Sequence, residues 1–171
     1  MEMGAEKGNT ATLAFTFSTS STVSRTWEIK ASQIPCGANY KAPDGCLQYF
    51  VGQTGRVMTF NFQVSTNQIH LPNQNYGICI RQEAGHCCVQ YELCGDDRSW
   101  SIDSTDATKN EIDTQCATDY VGIDGAGLTC STSTSATLHS RICGGIFNLE
   151  KDLANAATTI CGEYHFLHFF E

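Results

Sequence analysis

The chain contains few charged residues and few prolines. Of its 171 residues, 10 are lysine or arginine, 3 are proline and 16% are charged in total, with a net charge of −8. The basic residues do not cluster, so the sequence excludes a nucleic-acid partner, because phosphate binding needs grouped lysines and arginines. No apolar run approaches the ~20 residues that cross a bilayer, so we expect no membrane span.

Common enzyme motifs are also missing. The chain has no Gly-x-Ser-x-Gly elbow of serine hydrolases, and neither the Gly-x-Gly-x-x-Gly nor the P-loop motif of nucleotide-binding proteins. A cysteine nucleophile would need a free, activated thiolate with a histidine beside it. We therefore predict that the protein is not an enzyme, and we assign no catalytic residue.

Cysteine, by contrast, is abundant. Ten cysteines lie between Cys36 and Cys161. An even number of cysteines in strand-like segments indicates a disulfide framework, which persists in an oxidising compartment. We therefore predict a secreted, extracellular protein in which a free cysteine is not expected. Zinc is the alternative, but no Cys-x-x-Cys pair occurs, and His86-Cys87-Cys88 places ligands side by side, which does not enclose a tetrahedral ion.

The first residues do not resemble an export signal. Residues 1–7, Met-Glu-Met-Gly-Ala-Glu-Lys, lack the apolar core and the small-residue cleavage site of a signal peptide. Because the cysteines indicate secretion, we interpret the chain as a fragment of a longer secreted protein or as the product of an imperfect gene model.

Short segments of alternating apolar and polar residues recur along the chain, separated by turn residues. Alternation with period two is typical of strands with one buried face. The segments are Leu13–Phe17 and Trp27–Ala31, which predict a hairpin, then Leu47–Phe50, Val57–Phe62, Tyr76–Arg81, Cys88–Tyr91, Trp100–Ile102 and Tyr120–Ile123. Many short strands predict an all-β sandwich. Tyr49, Phe50, Tyr76 and Trp100 could line a recognition surface, although aromatics at strand spacing more often belong to the core.

From Cys116 onward the pattern becomes specific. Residues 116–125, Cys-Ala-Thr-Asp-Tyr-Val-Gly-Ile-Asp-Gly, resemble the Cys-x-x-Asp-Tyr-x-x-Ile-x-x-Gly-type signature of CUB domains. Ile142-Cys143-Gly144 resembles the Cys-Gly that closes the second disulfide of that family. Gly55–Phe62 and Tyr76–Arg81 stand where CUB domains carry a Gly-x-Ile-x-Ser-Pro-x-Tyr segment and the second cysteine. The resemblance is greatest to arthropod CUB-domain-containing secreted proteins and covers about residues 34–165.

The resemblance implies a jelly-roll-like antiparallel β-sandwich, stapled by the disulfides Cys46–Cys79 and Cys116–Cys143. The sequence does not fix the pairing of the other cysteines. They are Cys36, Cys87, Cys88, Cys94, Cys130 and Cys161. Cys36 bridged to Cys87 or Cys88 is one arrangement, and the local loops Cys36–Cys46 and Cys79–Cys87 are an alternative.

Both ends of the chain depart from the family pattern. A CUB domain finishes with two strands, and residues 164–169 resemble only the first of them. Leu13–Phe17 and Trp27–Ala31 resemble the same closing pair. We therefore predict that residues 1–33 are the closing hairpin of a preceding CUB-like domain, or strands docked in the vacant edge, and that residues 34–171 form a CUB-like domain truncated at its C-terminus.

The resemblance also implies a calcium site. Many CUB domains bind calcium through a Glu, an Asp eight residues later and an Asp in a late loop. Glu111 precedes Asp119 by eight residues, with Cys116 between them. Carboxylate oxygens are hard ligands that suit calcium. The alternative is a structural role, in which Asp119 hydrogen-bonds a turn backbone and binds no metal.

Taken together, the resemblance implies a non-catalytic extracellular module that binds protein partners. One alternative is an accessory or targeting module of a secreted protease. Another is a structural matrix or cuticle protein. No residue pattern in the sequence names the ligand.

Overall fold

A computed structural model describes residues 8–16, 24, 26–62, 71–96, 99–102, 108–130, 138–149, 159–162 and 166–170. The chain divides into two compact units, Met1–Lys41 and Ala42–Glu171. None of the described residues forms a helix long and apolar enough to cross a lipid bilayer.

The described part of the first unit contains no strand. The sequence predicted a hairpin here, but residues 8–16 and 26–41 are not in strands, so that expectation is wrong for them. The Phe15 and Trp27 rings nevertheless stack, with centroids 5.5 Å apart. Leu13 and Trp27 remain 61% and 58% exposed, so this packing buries too little apolar surface to fix a strand pair. The assignment of residues 1–33 to a preceding domain stays a prediction.

The second unit consists of short strands, and buried and exposed residues alternate in parts of them. In β5, for example, buried Ile123 is followed by exposed Asp124, as expected for a strand with one face on a core. The strands are β1 (Cys46–Phe50), β2 (Asn75–Ile80), β3 (Val89–Tyr91), β4 (Asn110–Ile112), β5 (Tyr120–Ala126), β6 (His139–Gly144), β7 (Ile160–Gly162) and β8 (Phe166–Phe170). A 3₁₀ turn, Asp113–Gln115, follows β4.

Six of these strands form one sheet in the order β1-β2-β8-β5-β6-β4, and β3 pairs with β7 in a second sheet. All pairs are antiparallel except β1 with β2. Strand β8 lies between β2 and β5, and it contains the described part of the segment predicted to be a closing strand. Since both its neighbours are hydrogen-bonded to it, β8 has no open edge.

The core lies between the two sheets. Ile78, Ile123 and Ile142 from the large sheet pack with Ile160 from β7, and Ile142 and Ile160 are fully buried. Tyr76 is only 7% exposed, and Phe50 and Trp100 pack against the same cluster. The preference for a core role over a recognition role is thus confirmed for these three aromatics. The fold is an all-β, largely antiparallel sandwich.

Three disulfides staple this unit. Cys46–Cys79 joins β1 to β2, and Cys116–Cys143 joins the residue after the 3₁₀ turn to β6; these are the two pairs that the family resemblance implies. The alternative with Cys36–Cys46 and Cys79–Cys87 is wrong, because Cys46 and Cys79 are bonded to each other. A third bridge, which the sequence left open, links Cys130 to Cys161 in β7.

Four cysteines differ from the expectation that none would be free. Cys36, Cys87, Cys88 and Cys94 carry thiols in the structure. Cys87 and Cys88 precede β3 and Cys94 follows it, and only Cys88 is partly buried. Alternation along strands indicates which cysteines lie in strands, but it carries no information on how loop cysteines approach one another.

Gly144 lies at a point of close backbone approach. Its φ is +94°, and a Cβ added there would stand 2.6 Å from the Lys109 carbonyl oxygen. The Gly144 amide also donates to the Ile102 carbonyl at 2.6 Å, and its own carbonyl accepts from the Ile102 amide at 3.1 Å. Only a residue without a side chain fits both the conformation and the space.

We expect Gly144→Ala to lower the free energy of unfolding by about 2 kcal/mol or more, because strain at positive φ adds to a clash with backbone atoms. Urea unfolding followed by fluorescence would measure the change. Gly95→Ala is the matched control, since nothing lies within 4 Å of a Cβ there. Equal stability of the two variants would contradict the close-approach argument.

Candidate functional site

The two predicted calcium ligands lie on either side of β6. Glu111 belongs to β4 and is in register with Cys143 of β6, while Asp119 precedes β5 and is half-buried. Because β6 separates β4 from β5, the two backbones are about 10 Å apart. The Glu111 Oε2 atom lies 3.7 Å from Cys143 Sγ, which has no hydrogen to donate because it is in a disulfide. The carboxylate therefore stands beside the Cys116–Cys143 bridge.

The described residues do not complete a calcium site. Calcium takes six to eight oxygen ligands, and two carboxylates supply too few. Among the described residues, no group of three or more histidine, cysteine, aspartate or glutamate side chains could hold a metal ion. Glu111 and Asp119 are therefore at most part of a site.

The His86-Cys87-Cys88 segment follows a turn at Ala84-Gly85 and leads into β3. The His86 amide donates to the Glu83 carbonyl, and the imidazole Nδ1 lies 3.1 Å from the Ala84 carbonyl oxygen. The imidazole is therefore engaged with the turn backbone, as expected for a turn residue rather than for a ligand.

Glu83 connects the ends of β1 and β2. Its Oε1 atom accepts from the Gly52 amide and from the Arg81 guanidinium, both at 2.8 Å. The Gly52 hydrogen bond, and then the Arg81 contacts, hold the pKa of this carboxyl below its ordinary value of 4.5. Arg56 is likewise paired, with Asp96.

Asp113 connects the 3₁₀ turn to the start of β6. Its Oδ1 atom accepts from the Ser140 amide at 2.8 Å and from the Arg141 amide at 3.4 Å, and its Oδ2 atom lies 2.7 Å from His139 Nδ1. Asp113 has a φ of +50°, which is unfavourable for a residue with a side chain. The hydrogen bonds offset this cost and fix the backbone that carries Arg141. We call this set of hydrogen bonds between Asp113 and His139, Ser140 and Arg141 the Asp113 clamp.

The environment of Asp113 also determines its ionisation. Burial is the largest single effect and raises the pKa, but the hydrogen bonds from the Ser140 amide, His139 and the Arg141 amide together outweigh it. The pKa of Asp113 is therefore lowered from its ordinary value of 3.8.

Next to the Asp113 clamp, the exposed side chain of Arg141 lies on a stack of two aromatic rings. The Arg141 guanidinium lies 4.5 Å from the centre of the Tyr120 ring. This ring stacks on Phe170, with the ring centroids 5.1 Å apart and an angle of 13° between the ring planes. Arg141 is exposed, and both rings are half-buried. We call these three side chains, from β6, β5 and β8, the Arg141 ladder.

Alternation along the strands favours the outer face of the large sheet for the Arg141 ladder. Ile142 and Ile123 are buried in the core, and Arg141 on β6 and Tyr120 on β5 stand at the alternate positions. Arg141 is exposed, whereas Tyr120 is half-buried and also packs against the core cluster. Of the three described arginines, Arg56 and Arg81 form ion pairs, whereas no carboxylate of the described residues pairs with the Arg141 guanidinium. Within the described part of the chain, the ladder is therefore an exposed cation without a carboxylate partner, beside two half-buried rings.

Sequence reasoning did not identify the Arg141 ladder. Tyr120 was noted as part of the signature and of a strand, and the tail as a strand, but nothing local relates them to Arg141. The outward position of Arg141 beside Ile142 was the available signal. It could not be used, because the order of β8, β5 and β6 is a long-range property.

We expect Asp113→Ala to lower the free energy of unfolding by about 1–2 kcal/mol, because it removes several hydrogen bonds from a partly exposed site. Asp113→Asn is the matched control and should cost less, since asparagine tolerates positive φ and keeps an acceptor.

The pKa of Asp113 is lowered in the folded state, so its carboxylate stabilises the fold above pH ~3.9, and this stabilisation is lost as the pH falls through the folded pKa. Urea unfolding from about pH 5 to about pH 2 should show a shallower loss for Asp113→Asn than for the wild type. Parallel curves would contradict the clamp.

Comparison with known proteins agrees with this architecture. Neither the curated proteins nor the solved structures give a match. The family model of the animal CUB domain matches residues 43–167, which include all of β1 to β7 and the start of β8. Animal CUB domains with disulfides are typical of extracellular proteins, and they are generally non-catalytic interaction modules. The chain belongs to the animal CUB domain family.

Proposed function

We propose that this protein is a non-catalytic extracellular module that binds a protein partner on the outer face of its large sheet, through the Arg141 ladder. The observation that carries the proposal is exposed Arg141 over the half-buried, stacked rings of Tyr120 and Phe170, on a disulfide-stapled scaffold. Family membership supports the extracellular setting and the interaction role.

The composition of the Arg141 ladder supports binding of protein. Tyrosine and arginine are enriched among the residues that contribute most binding energy at protein interfaces. The stack fixes the rings against one another, and the Asp113 clamp fixes the backbone of Arg141. Little side-chain entropy is therefore lost on binding, which favours affinity.

Affinity capture tests this proposal. The immobilised chain should retain extracellular proteins of the source animal, and Tyr120→Ser should lose them, because an interface anchor of this kind contributes about 2 kcal/mol or more. Tyr40→Ser is the matched control, since Tyr40 is 53% exposed in the first unit. Thermal unfolding would establish that Tyr120→Ser stays folded.

The outcomes separate the two parts of the proposal. Retention of the same proteins by Tyr120→Ser would contradict the surface. Failure of the wild type to retain any extracellular protein would contradict protein binding.

We further propose that Glu111 and Asp119 supply part of a calcium site. Calorimetry with calcium should show weak binding, in the 10⁻⁴–10⁻³ M range of extracellular modules, that Asp119→Ala abolishes. Asp124→Ala is the control, because Asp124 is an exposed acid elsewhere on β5. If neither the wild-type chain nor a form extended at its C-terminus gives a heat of calcium binding, the proposal is wrong. Asp119 would then only hydrogen-bond the turn backbone.

A further inference from the structure

We infer that the Arg141 ladder recognises an acidic segment of a partner protein, in which an aspartate or glutamate carboxylate binds the Arg141 guanidinium and a neighbouring apolar side chain covers Tyr120 and Phe170. This inference rests on the proposed function and adds the chemistry of the partner to it.

No carboxylate among the described residues forms an ion pair with Arg141. Arg56 pairs with Asp96 and Arg81 with Glu83, so the chain neutralises its other described arginines internally. Asp113, which accepts from the Arg141 backbone amide, also uses its carboxylate on His139 and on the Ser140 amide. In the described part of a chain whose net charge is −8, Arg141 is thus a local exception that complements an anion.

The guanidinium of Arg141 is chemically suited to a carboxylate. Its central carbon lies over the Tyr120 ring, 4.5 Å from the ring centre, which is within the range of a cation–π interaction. A guanidinium carries its N–H groups in one plane and can donate two parallel hydrogen bonds to one carboxylate. A guanidinium already held against a ring loses less side-chain freedom when it binds.

The adjoining rings favour a protein over other anions. Tyr120 and Phe170 offer an apolar surface directly beside the cation, and an extended peptide presents alternate side chains on one side about 7 Å apart. We therefore expect an acidic residue and an apolar residue separated by one position. A sulfated polysaccharide would need several clustered cations, whereas the ladder has one in a negatively charged protein.

Selection from a phage-displayed library of random peptides on the immobilised full chain tests the inference. Peptides enriched on the wild type should carry Asp or Glu two positions from an aromatic or aliphatic residue.

Synthetic versions of these peptides should bind the Arg141→Gln variant at least about tenfold more weakly than the wild type, as expected for loss of a charge-assisted pair. Arg141→Lys should recover part of the affinity, because it keeps the charge but not the paired donors. Arg56→Gln is the matched control, since it removes the same charge from an exposed site and should change little.

Three results would overturn the inference. Enriched peptides that lack an acid, or that bind Arg141→Gln as well as wild type, would overturn it while leaving protein binding by the module intact. Arg141-dependent binding of a heparin-derived oligosaccharide without any peptide enrichment would overturn both the inference and the proposed protein partner. No enrichment above the bare surface would overturn the acidic-segment inference, while affinity capture decides the proposed function separately.

Discussion

Strand β8 holds the two parts of the large sheet together. It pairs with β2 on one side and with β5 on the other, so among the described strands the parallel β1–β2 pair meets the β5–β6–β4 group only through it. The hydrogen bonds of five residues, Phe166–Phe170, therefore close the sheet. Strand β2 is far from β8 in sequence, and closing such a long loop costs entropy that is recovered only when the contact forms.

The disulfides stabilise the parts rather than this junction. Cys46–Cys79 lies within the β1–β2 pair, Cys116–Cys143 lies within the group that contains β6, and Cys130–Cys161 connects the end of β5 to β7. None involves a residue of β8. The covalent links thus limit the unfolded ensemble of each part, while the junction depends on backbone hydrogen bonds and on the core beneath it. The Asp113 clamp acts in the same local way, because it fixes the start of β6 without reaching β8.

The sequence predicted the features that depend on local pattern or on the family resemblance. Alternation around Tyr76–Arg81 and Tyr120–Ile123 predicted β2 and β5, and the cysteine signature implied the pairs at Cys46 and Cys116. The hairpin at Leu13 and Trp27 was wrong in its described part, because alternation does not form a strand where apolar residues stay exposed. The Cys130–Cys161 bridge, the Asp113–His139 contact and the Arg141 ladder each join residues more than twenty positions apart. Their formation depends on strand order, which alternation does not contain.

The Arg141 ladder crosses the same junction that closes the fold. Tyr120 belongs to β5 and Phe170 to β8, and these two residues are direct partners in the register as well as in the stack. Arg141 and Tyr120 come from strands that pair without β8, so the cation and its first ring form with that group, whereas the apolar platform is complete only once β8 is in place. A partner that contacts both rings would bind the closed sheet more tightly than a state in which β8 is detached. By thermodynamic linkage, such a partner would stabilise the pairing of β8 by the difference between its two binding free energies. For such a partner, binding and closure of the sheet would be coupled through this one pair of rings.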